Sequence, residues 1–129
     1  IVSWPECFYP KWGESMCTAA KLKIITAAVV KSVLLVSDKV EKIILFGSQA
    51  RGDGTAESDI DILVVVDEPS EDIYDLKKLI WKHTNDISLQ YDEVISLIMK
   101  SVSEYDRMRN TLFYENVARE GIELYGLAS

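Results

Sequence analysis

The sequence predicts an α/β fold in which a small mixed sheet of three or four strands is flanked by helices, mainly on one side. Three observations predict it: a helical stripe of apolar residues, two apolar runs of strand length joined by a glycine-containing loop, and a return of helical periodicity afterwards. The chain has 129 residues, 48% hydrophobic and 27% charged, which suits one ordinary globular domain.

The first predicted element is a helix that begins at Thr18 and carries a single apolar stripe. The residues of that stripe, at helical spacing, are Leu22, Ile25, Val29, Val33 and Val36. Residues 1–17 show no such periodicity and contain several aromatic residues and two prolines. We therefore predict an irregular N-terminal extension over residues 1–17 and a single domain over residues 18–129.

Two strands and a loop are predicted next. Residues 42–46 are apolar after Lys42, which predicts a short, largely buried strand that ends at Gly47. Residues 47–58 are small and polar, which predicts a loop with at most one helical turn. Residues 59–66 are β-branched and largely apolar, which is typical of a strand buried on both faces. Ser70 is a suitable N-cap for the helix that follows.

A third strand and two further helices complete the predicted order. Residues 86–91 alternate between polar and apolar side chains, which predicts a strand. The apolar members of that alternation are Ile87, Leu89 and Tyr91. Helices are predicted over about residues 92–101 and 111–120, with Gly121 as a C-terminal stop.

Composition argues against several classes of protein. The net charge is −7 and the basic residues are scattered, whereas a nucleic-acid-binding protein needs a basic stripe to neutralise phosphates. No apolar run approaches the roughly 18 residues that span a bilayer, and the N-terminus lacks the basic start and apolar run of a signal peptide. We therefore expect a cytoplasmic protein. Cys7, Cys17 and His83 are too few for a disulfide framework or a zinc site.

Two carboxylates, Asp59 and Asp61, carry the first chemical signal. On a strand their side chains emerge from one face, with Cα atoms roughly 6.5 Å apart. Leu63 and Val65 come next on that face, so both acids lie at the end of an otherwise buried strand, where burial without a cation is costly. Since Mg²⁺ prefers one or two carboxylates together with phosphate oxygens, the pair predicts a metal site.

The turn after the first strand carries the second signal. Gly47 has no side chain to keep a phosphate away, and the following backbone amides and the Ser48 hydroxyl can donate to phosphate oxygens. Arg51 can add a positive charge to the same anion. If Gly47 and Ser48 are to meet Asp59 and Asp61, the two strands must run antiparallel.

These residues also carry a resemblance. Gly47-Ser48, followed after ten residues by Asp59-x-Asp61, resembles the signature of the DNA polymerase β-like nucleotidyltransferases. The local sequence Gly-Ser-Gln-Ala-Arg-Gly and the later Ser-Asp-Ile-Asp-Ile-Leu-Val are similar to the minimal nucleotidyltransferases, abbreviated MNT. These are single-domain bacterial and archaeal proteins that are often paired with a HEPN-domain protein. The resemblance runs from about Lys42 to Gly126.

The resemblance implies an enzyme that transfers a nucleoside monophosphate, AMP from ATP, to a hydroxyl group. Two Mg²⁺ ions would be held by Asp59 and Asp61, and the triphosphate by Gly47, Ser48 and Arg51. The resemblance further implies that the acceptor is a tyrosine of a HEPN ribonuclease toxin, which would make this chain its antitoxin. The sequence leaves the oligomeric state open, a homo-oligomer included.

The resemblance also implies a third carboxylate at this site. Related enzymes often place an Asp or Glu on the third strand, where it completes the metal site and can act as base. Asp86 and Ser88 share a face of the strand predicted here, so Asp86 is expected to take that role. The alternative is Ser88, which would leave two acids.

Two other functions remain open. One is a catalytically idle binding module of the same fold that neutralises its partner by contact. The other is a small-molecule nucleotidyltransferase of the aminoglycoside-modifying type, which usually has a second, helical domain for which 129 residues leave no room.

Overall fold

A computed structural model describes residues 16–55 and 58–127 of the chain. The elements in these two ranges, in chain order, are α1 (Met16–Val36), β1 (Val40–Phe46), α2 (Ser48–Arg51), β2 (Ile60–Val66), α3 (Ser70–Tyr91), β3 (Ile95–Ser101), α4 (Val102–Met108), α5 (Leu112–Glu120) and β4 (Ile122–Gly126). Among the helices in these ranges, none has the length and apolarity needed to cross a bilayer.

The four strands form one mixed sheet in the order β3-β2-β1-β4. Strand β1 pairs antiparallel with both β2 and β4, and β2 pairs parallel with β3. The parallel pair is joined by α3, since parallel neighbours need a long crossover connection. The predicted α/β fold, with a mixed sheet flanked by helices, is confirmed, as is the antiparallel arrangement of the first two strands.

Helices cover both faces of the sheet. One hydrophobic cluster joins α1 and α3 to alternate residues of the strands, including Ile62 and Val64 of β2. A second, smaller cluster joins α4 and α5 to the intervening residues Leu63 and Val65. The two long helices therefore lie on one face and the two short ones on the other, and β2 is buried from both sides.

The first elements agree with the sequence prediction apart from their ends. Helix α1 begins at Met16 rather than Thr18, and β1 begins at Val40, two residues before the predicted start. Helix α2 is the single helical turn predicted within residues 47–58. Of the predicted irregular extension over residues 1–17, residues 1–15 lie outside the described residues.

The third strand lies later in the chain than predicted. Residues 86–91, predicted as a strand, form the last part of α3, and residues 92–101, predicted as a helix, contain β3. Buried residues of α3 recur at helical spacing as far as Ile87, whereas Leu89 is 75% exposed. Over six residues a helical pattern can pass for alternation, and the prediction mistook one for the other.

The C-terminal part was predicted incompletely. Helix α5 matches the predicted helix and ends at Gly121, whose amide donates to the carbonyl of Val117 at 2.8 Å. Helix α4 and the edge strand β4 were not predicted. Ser70 is the first residue of α3 rather than its N-cap, a position taken by Pro69 without a side-chain cap. The Ser70 hydroxyl instead donates to Glu104 of α4 at 3.1 Å.

Candidate active site

The turn that follows β1 has a backbone that glycine alone adopts readily. Gly47 has φ 76° and ψ −161°, a region essentially closed to residues with a side chain. Its carbonyl accepts the amides of Ala50 and Arg51, both at 3.1 Å, which closes the turn of α2. The amides of Ser48 and Gln49 precede these first helical hydrogen bonds, so they are the donors that such a turn can offer to an anion.

Gly47 lies directly against the carboxylate of Asp61. A Cβ atom built on Gly47 would overlap the Oδ2 atom of Asp61, closer than any real Cβ approaches a neighbour. The register explains this contact, because Phe46 at the end of β1 pairs with Asp61 at the start of β2. The antiparallel pairing thus brings the glycine turn and the second acid together.

The two acids occupy different environments at the same strand end. Asp61 is half-buried on β2 and shares the α4/α5 face with Leu63, while Asp59 is exposed and precedes the strand. The amide of Ile60, between them, donates to the carbonyl of Val94 at 2.8 Å. This bond fixes the backbone between the two carboxylates.

The environment of Asp61 disfavours the charged form of its carboxylate. Burial raises the pKa of Asp61 above its usual value, and the charge of Asp59 raises it further. The positive charge of Arg51 acts in the opposite direction. A divalent cation between the two carboxylates would offset both burial and repulsion, which is the electrostatic condition for a Mg²⁺ site.

Arg51 bridges the turn to helix α5. Its Nε donates to Asp53 at 3.3 Å and its Nη1 to Glu120 at 3.4 Å. The hydrogen bond and charge of Asp53 raise the pKa of Arg51, with a smaller contribution from Glu120. Arg51 therefore stands near the acid pair as a positive charge already held by two carboxylates, one of them 69 residues further along the chain.

Asp86 does not lie on a strand beside Asp61, so that part of the prediction is wrong. It is an exposed residue of α3, whose buried side chains belong to the cluster on the opposite face of the sheet. Ser88, the alternative, is also on α3, where its hydroxyl donates to the carbonyl of Glu93 near the end of the helix. Neither residue therefore lies on a strand that would place it beside the acid pair.

The residue opposite Asp61 on the third strand is Ser96. The parallel register of β2 and β3 pairs Asp61 with Ser96, and Ile98, two residues further on, packs in the cluster beneath α4 and α5. Ser96 thus shares the face of Asp61. No group of three or more His, Cys, Asp or Glu side chains suited to a metal ion occurs in the described ranges. A metal here would rest on two carboxylates and on oxygen atoms of the substrate.

Gln49, which follows Ser48, is bonded to the loop before Asp59, a link that the sequence analysis did not predict. Its side chain is 7% exposed, and its amide nitrogen donates to the carbonyls of Ser58 at 3.2 Å and Thr55 at 3.4 Å. In the sequence it is one polar residue in a polar loop. A signal was available only in its position directly after Ser48.

A sequence profile of the nucleotidyltransferase domain matches residues 29–123. This range covers most of the chain, and the chain belongs to the nucleotidyltransferase domain family. It is therefore a nucleotidyltransferase, and the resemblance drawn from its Gly-Ser and Asp-x-Asp residues is confirmed.

Individual relatives agree with this membership. A Methanocaldococcus jannaschii protein, provisionally named a protein adenylyltransferase, is 42% identical over 87 residues, which are 67% of this chain and 80% of the relative. The crystal structure of a protein from Sulfolobus solfataricus, provisionally named a nucleotidyltransferase, has a TM-score of 0.61 at 20% identity and covers 90% of this chain and 93% of its own.

A third similarity is to a chain of a toxin–antitoxin complex. The complex is that of a tri-AMPylated Shewanella oneidensis HEPN toxin with an MNT antitoxin, and the matching chain has a TM-score of 0.53 to this chain at 20% identity. The match covers 82% of this chain and 73% of the other. At these identities the two solved structures show a shared fold.

Proposed function

We propose that this chain is a Mg²⁺-dependent protein adenylyltransferase that transfers AMP from ATP to a tyrosine hydroxyl of a HEPN-domain partner, as the antitoxin of that partner. The observation that carries the proposal is the contact between Gly47 and the carboxylate of Asp61. It brings a turn suited to phosphate and an acid pair suited to metal to one point.

The triphosphate and the metal are assigned to different elements. Gly47 gives the phosphates access to the backbone, Ser48 donates its amide and hydroxyl, and Arg51 contributes charge. Asp59 and Asp61 are the residues that would hold two Mg²⁺ ions, which supply charge neutralisation at the attacking and leaving oxygens. Because two carboxylates provide few ligands, phosphate oxygens of the substrate would complete the coordination of the metal.

The chain's own groups favour transfer mainly through position and charge. The acceptor hydroxyl releases its proton to solvent, and its oxygen bonds to the α-phosphorus. The bond between the α-phosphorus and the oxygen that bridges to the β-phosphorus breaks, and pyrophosphate leaves. Arg51 uses Nε and Nη1 for Asp53 and Glu120, and a guanidinium has five N–H donors, so its remaining N–H groups are the ones it can offer to a phosphate.

The choice of donor and acceptor rests on the relatives. The Methanocaldococcus jannaschii relative is named for adenylyl transfer to protein, and the similar Shewanella oneidensis complex contains an AMPylated HEPN toxin. The net charge of −7 also favours a basic protein partner over an RNA or DNA acceptor. Together these support a protein acceptor.

A catalytically idle antitoxin of the same fold is the second candidate. The observation that favours it is Ser96, a neutral residue opposite Asp61 on the strand where related enzymes often place a carboxylate. Such a protein would bind its partner and transfer nothing.

The deciding experiment is the intact mass of the partner. The chain is incubated with ATP, Mg²⁺ and a candidate HEPN-domain partner, and peptide mapping then locates any added mass. We expect the mass of one AMP or more on tyrosine, abolished by Asp61→Asn and retained by Asp86→Asn, a matched substitution on the opposite face of the sheet. Tight binding of the partner without added mass would replace the enzyme by the idle antitoxin.

A further inference from the structure

We propose that Gln49 is a positioning residue that holds Asp59 in place for the metal, by tethering the loop that leads into the acid pair. The inference rests on the proposed function of Asp59 as a Mg²⁺ ligand. Gln49 itself contacts neither metal nor nucleotide in this account. It acts on the backbone that carries the carboxylate.

The tether ends at the peptide unit that precedes Asp59. The Ser58 carbonyl that accepts from Gln49 at 3.2 Å belongs to the same planar unit as the amide nitrogen of Asp59. Fixing that carbonyl therefore fixes the plane from which the Asp59 backbone departs. On the other side, the amide of Ile60 is held by Val94 at 2.8 Å. Asp59 is thus exposed and outside a strand, yet it is held from both sides.

The two residues to which Gln49 donates, Thr55 and Ser58, are also hydrogen-bonded to each other. The amide of Ser58 donates to the carbonyl of Thr55 at 3.1 Å, and the amide of Thr55 donates to the Ser58 hydroxyl at 2.9 Å. The Gln49 amide also donates to the Thr55 carbonyl at 3.4 Å. One buried side-chain NH₂ group therefore uses both of its hydrogens on the two ends of this closed turn.

Gln49 follows Ser48 directly, so the tether joins the two halves of the site. Helix α2 begins at Ser48, at the phosphate turn, and its second residue reaches across to the loop before Asp59. Gly54 leaves room for this side chain, since a Cβ there would lie 3.0 Å from both Cδ and Oε1 of Gln49. The amide of Gln49 is thereby a direct link between the phosphate turn and the peptide unit that precedes the first carboxylate.

A purely structural role would predict a different result. If Gln49 only stabilised the loop, its loss would lower the stability of the protein and leave the metal dependence of nucleotide binding unchanged. If it positions Asp59, its loss raises the Mg²⁺ concentration needed for binding, because the carboxylate must be ordered at the moment of coordination. Substituting a residue that orients a metal ligand typically weakens metal affinity by about 10- to 100-fold.

The test compares Gln49→Met with Gln90→Met, the same change at an exposed position of α3. Methionine keeps the volume of glutamine and removes both donors. The readout is the Mg²⁺ concentration that gives half-maximal binding of an ATP analogue with a methylene α–β bridge, together with thermal unfolding without Mg²⁺. We expect about a tenfold higher Mg²⁺ requirement for Gln49→Met and an unchanged one for Gln90→Met.

A second variant covers the case in which Gln49→Met does not fold. Gly54→Ala keeps Gln49 but places a Cβ 3.0 Å from its Cδ and Oε1 and 3.3 Å from the Ser48 hydroxyl, so the Gln49 amide must shift and the Mg²⁺ requirement should rise, though by less than in Gln49→Met. An unchanged Mg²⁺ requirement in a folded Gln49→Met variant, or in Gly54→Ala if that variant alone folds, overturns the inference and leaves the proposed function standing. Wild-type protein that binds the analogue equally well without Mg²⁺ overturns the proposed function, and this inference with it.

Discussion

Gly47 and Asp61 are in contact across the antiparallel pair of strands β1 and β2, at a point where a side chain on residue 47 would overlap the carboxylate. Each of the two residues is common in loops or strand ends when taken alone. Their contact makes them one site, because a phosphate lying along the turn at Gly47 must also lie beside Asp61.

Substitutions in the turn should follow from this contact. Gly47→Val places a branched side chain on the Asp61 carboxylate and strains a backbone with φ 76°, so we expect transfer to fall by more than about 100-fold. Ser48→Ala removes one hydroxyl donor to an anion that backbone and metal would also hold. It should cost about tenfold, the lower end of the about 1.5–3 kcal/mol that a hydrogen bond to a charged group contributes.

Gly52→Ala separates backbone strain from the contact. Gly52 also has a positive φ, of 83°, at the C-terminal end of α2. Transfer rates are compared on protein of equal folded fraction. Gly47→Val should lose more activity than Ser48→Ala, and Gly52→Ala should lower mainly the stability of the protein. A larger loss in Ser48→Ala than in Gly47→Val would reverse the roles assigned to the turn.

Asp61→Asn should stabilise the metal-free protein at neutral pH. Burial and the charge of Asp59 raise the pKa of Asp61 above its usual 3.8, so the folded state binds the proton more tightly than the unfolded state. Stability is therefore lost as the pH rises from about 3.8 through the folded pKa, and the cost persists at pH 7. Thermal unfolding should show a higher midpoint for Asp61→Asn at pH 7 and no difference near pH 3. A variant less stable than wild type at pH 7 would contradict the electrostatic account.

Ser96 offers a direct test of the third carboxylate. Since Ser96 pairs with Asp61 on the neighbouring strand, Ser96→Asp would place a third acid on the same face of the sheet. We expect Ser96→Asp to lower the Mg²⁺ concentration for half-maximal transfer by about tenfold. Ser96→Asn, whose side chain has the shape of aspartate without its charge, should leave that concentration unchanged. Asp86→Asn should have no effect on the same measurement. Loss of transfer in Asp86→Asn would restore that residue to the site.

The junction of β3 and α4 should make stability depend on acid pH. Burial acts to raise the pKa of Glu104, but hydrogen bonds from Ser70 and Ser101 outweigh it and lower the pKa below its usual 4.5. The stability that Glu104 contributes is thus present above about pH 4.5 and is lost as the pH falls through the folded pKa.

Ser101→Ala should show this dependence. The Ser101 side chain caps α4 by accepting the amide of Glu104 at 3.1 Å, and such caps contribute about 1 kcal/mol. The Ser101 hydroxyl also donates to the Glu104 carboxylate at 3.1 Å. Denaturant unfolding at pH 7 should show the loss of both bonds, and at pH 3, where the carboxylate is protonated, a smaller loss. Thr111→Ala is a control for a hydroxyl that meets no carboxylate, because Thr111 stands at the N-cap of α5 without a side-chain cap and its hydroxyl donates to the Met108 carbonyl at 2.7 Å. Its loss should be the same at both pH values, and the same independence of pH in Ser101→Ala would argue against the contact with Glu104.

The sequence predicted the parts of the site that are local. Gly47-Ser48 and Asp59-x-Asp61 are short patterns whose chemistry follows from residue type and spacing, and the need for them to meet predicted antiparallel strands. The third strand was misplaced because six residues of α3 alternate by coincidence. Contacts such as Arg51 with Glu120 depend on how α5 crosses the sheet, which no local pattern encodes.

The most direct test of the central claim is calorimetry of ATP binding with and without Mg²⁺. The contact of the glycine turn with the acid pair predicts that wild-type protein binds ATP tightly only when Mg²⁺ is present. It further predicts that Asp59→Asn/Asp61→Asn loses this binding while remaining folded, and that Asp86→Asn keeps it. Equal affinity for Mg²⁺-ATP in wild type and in the double variant would contradict the account.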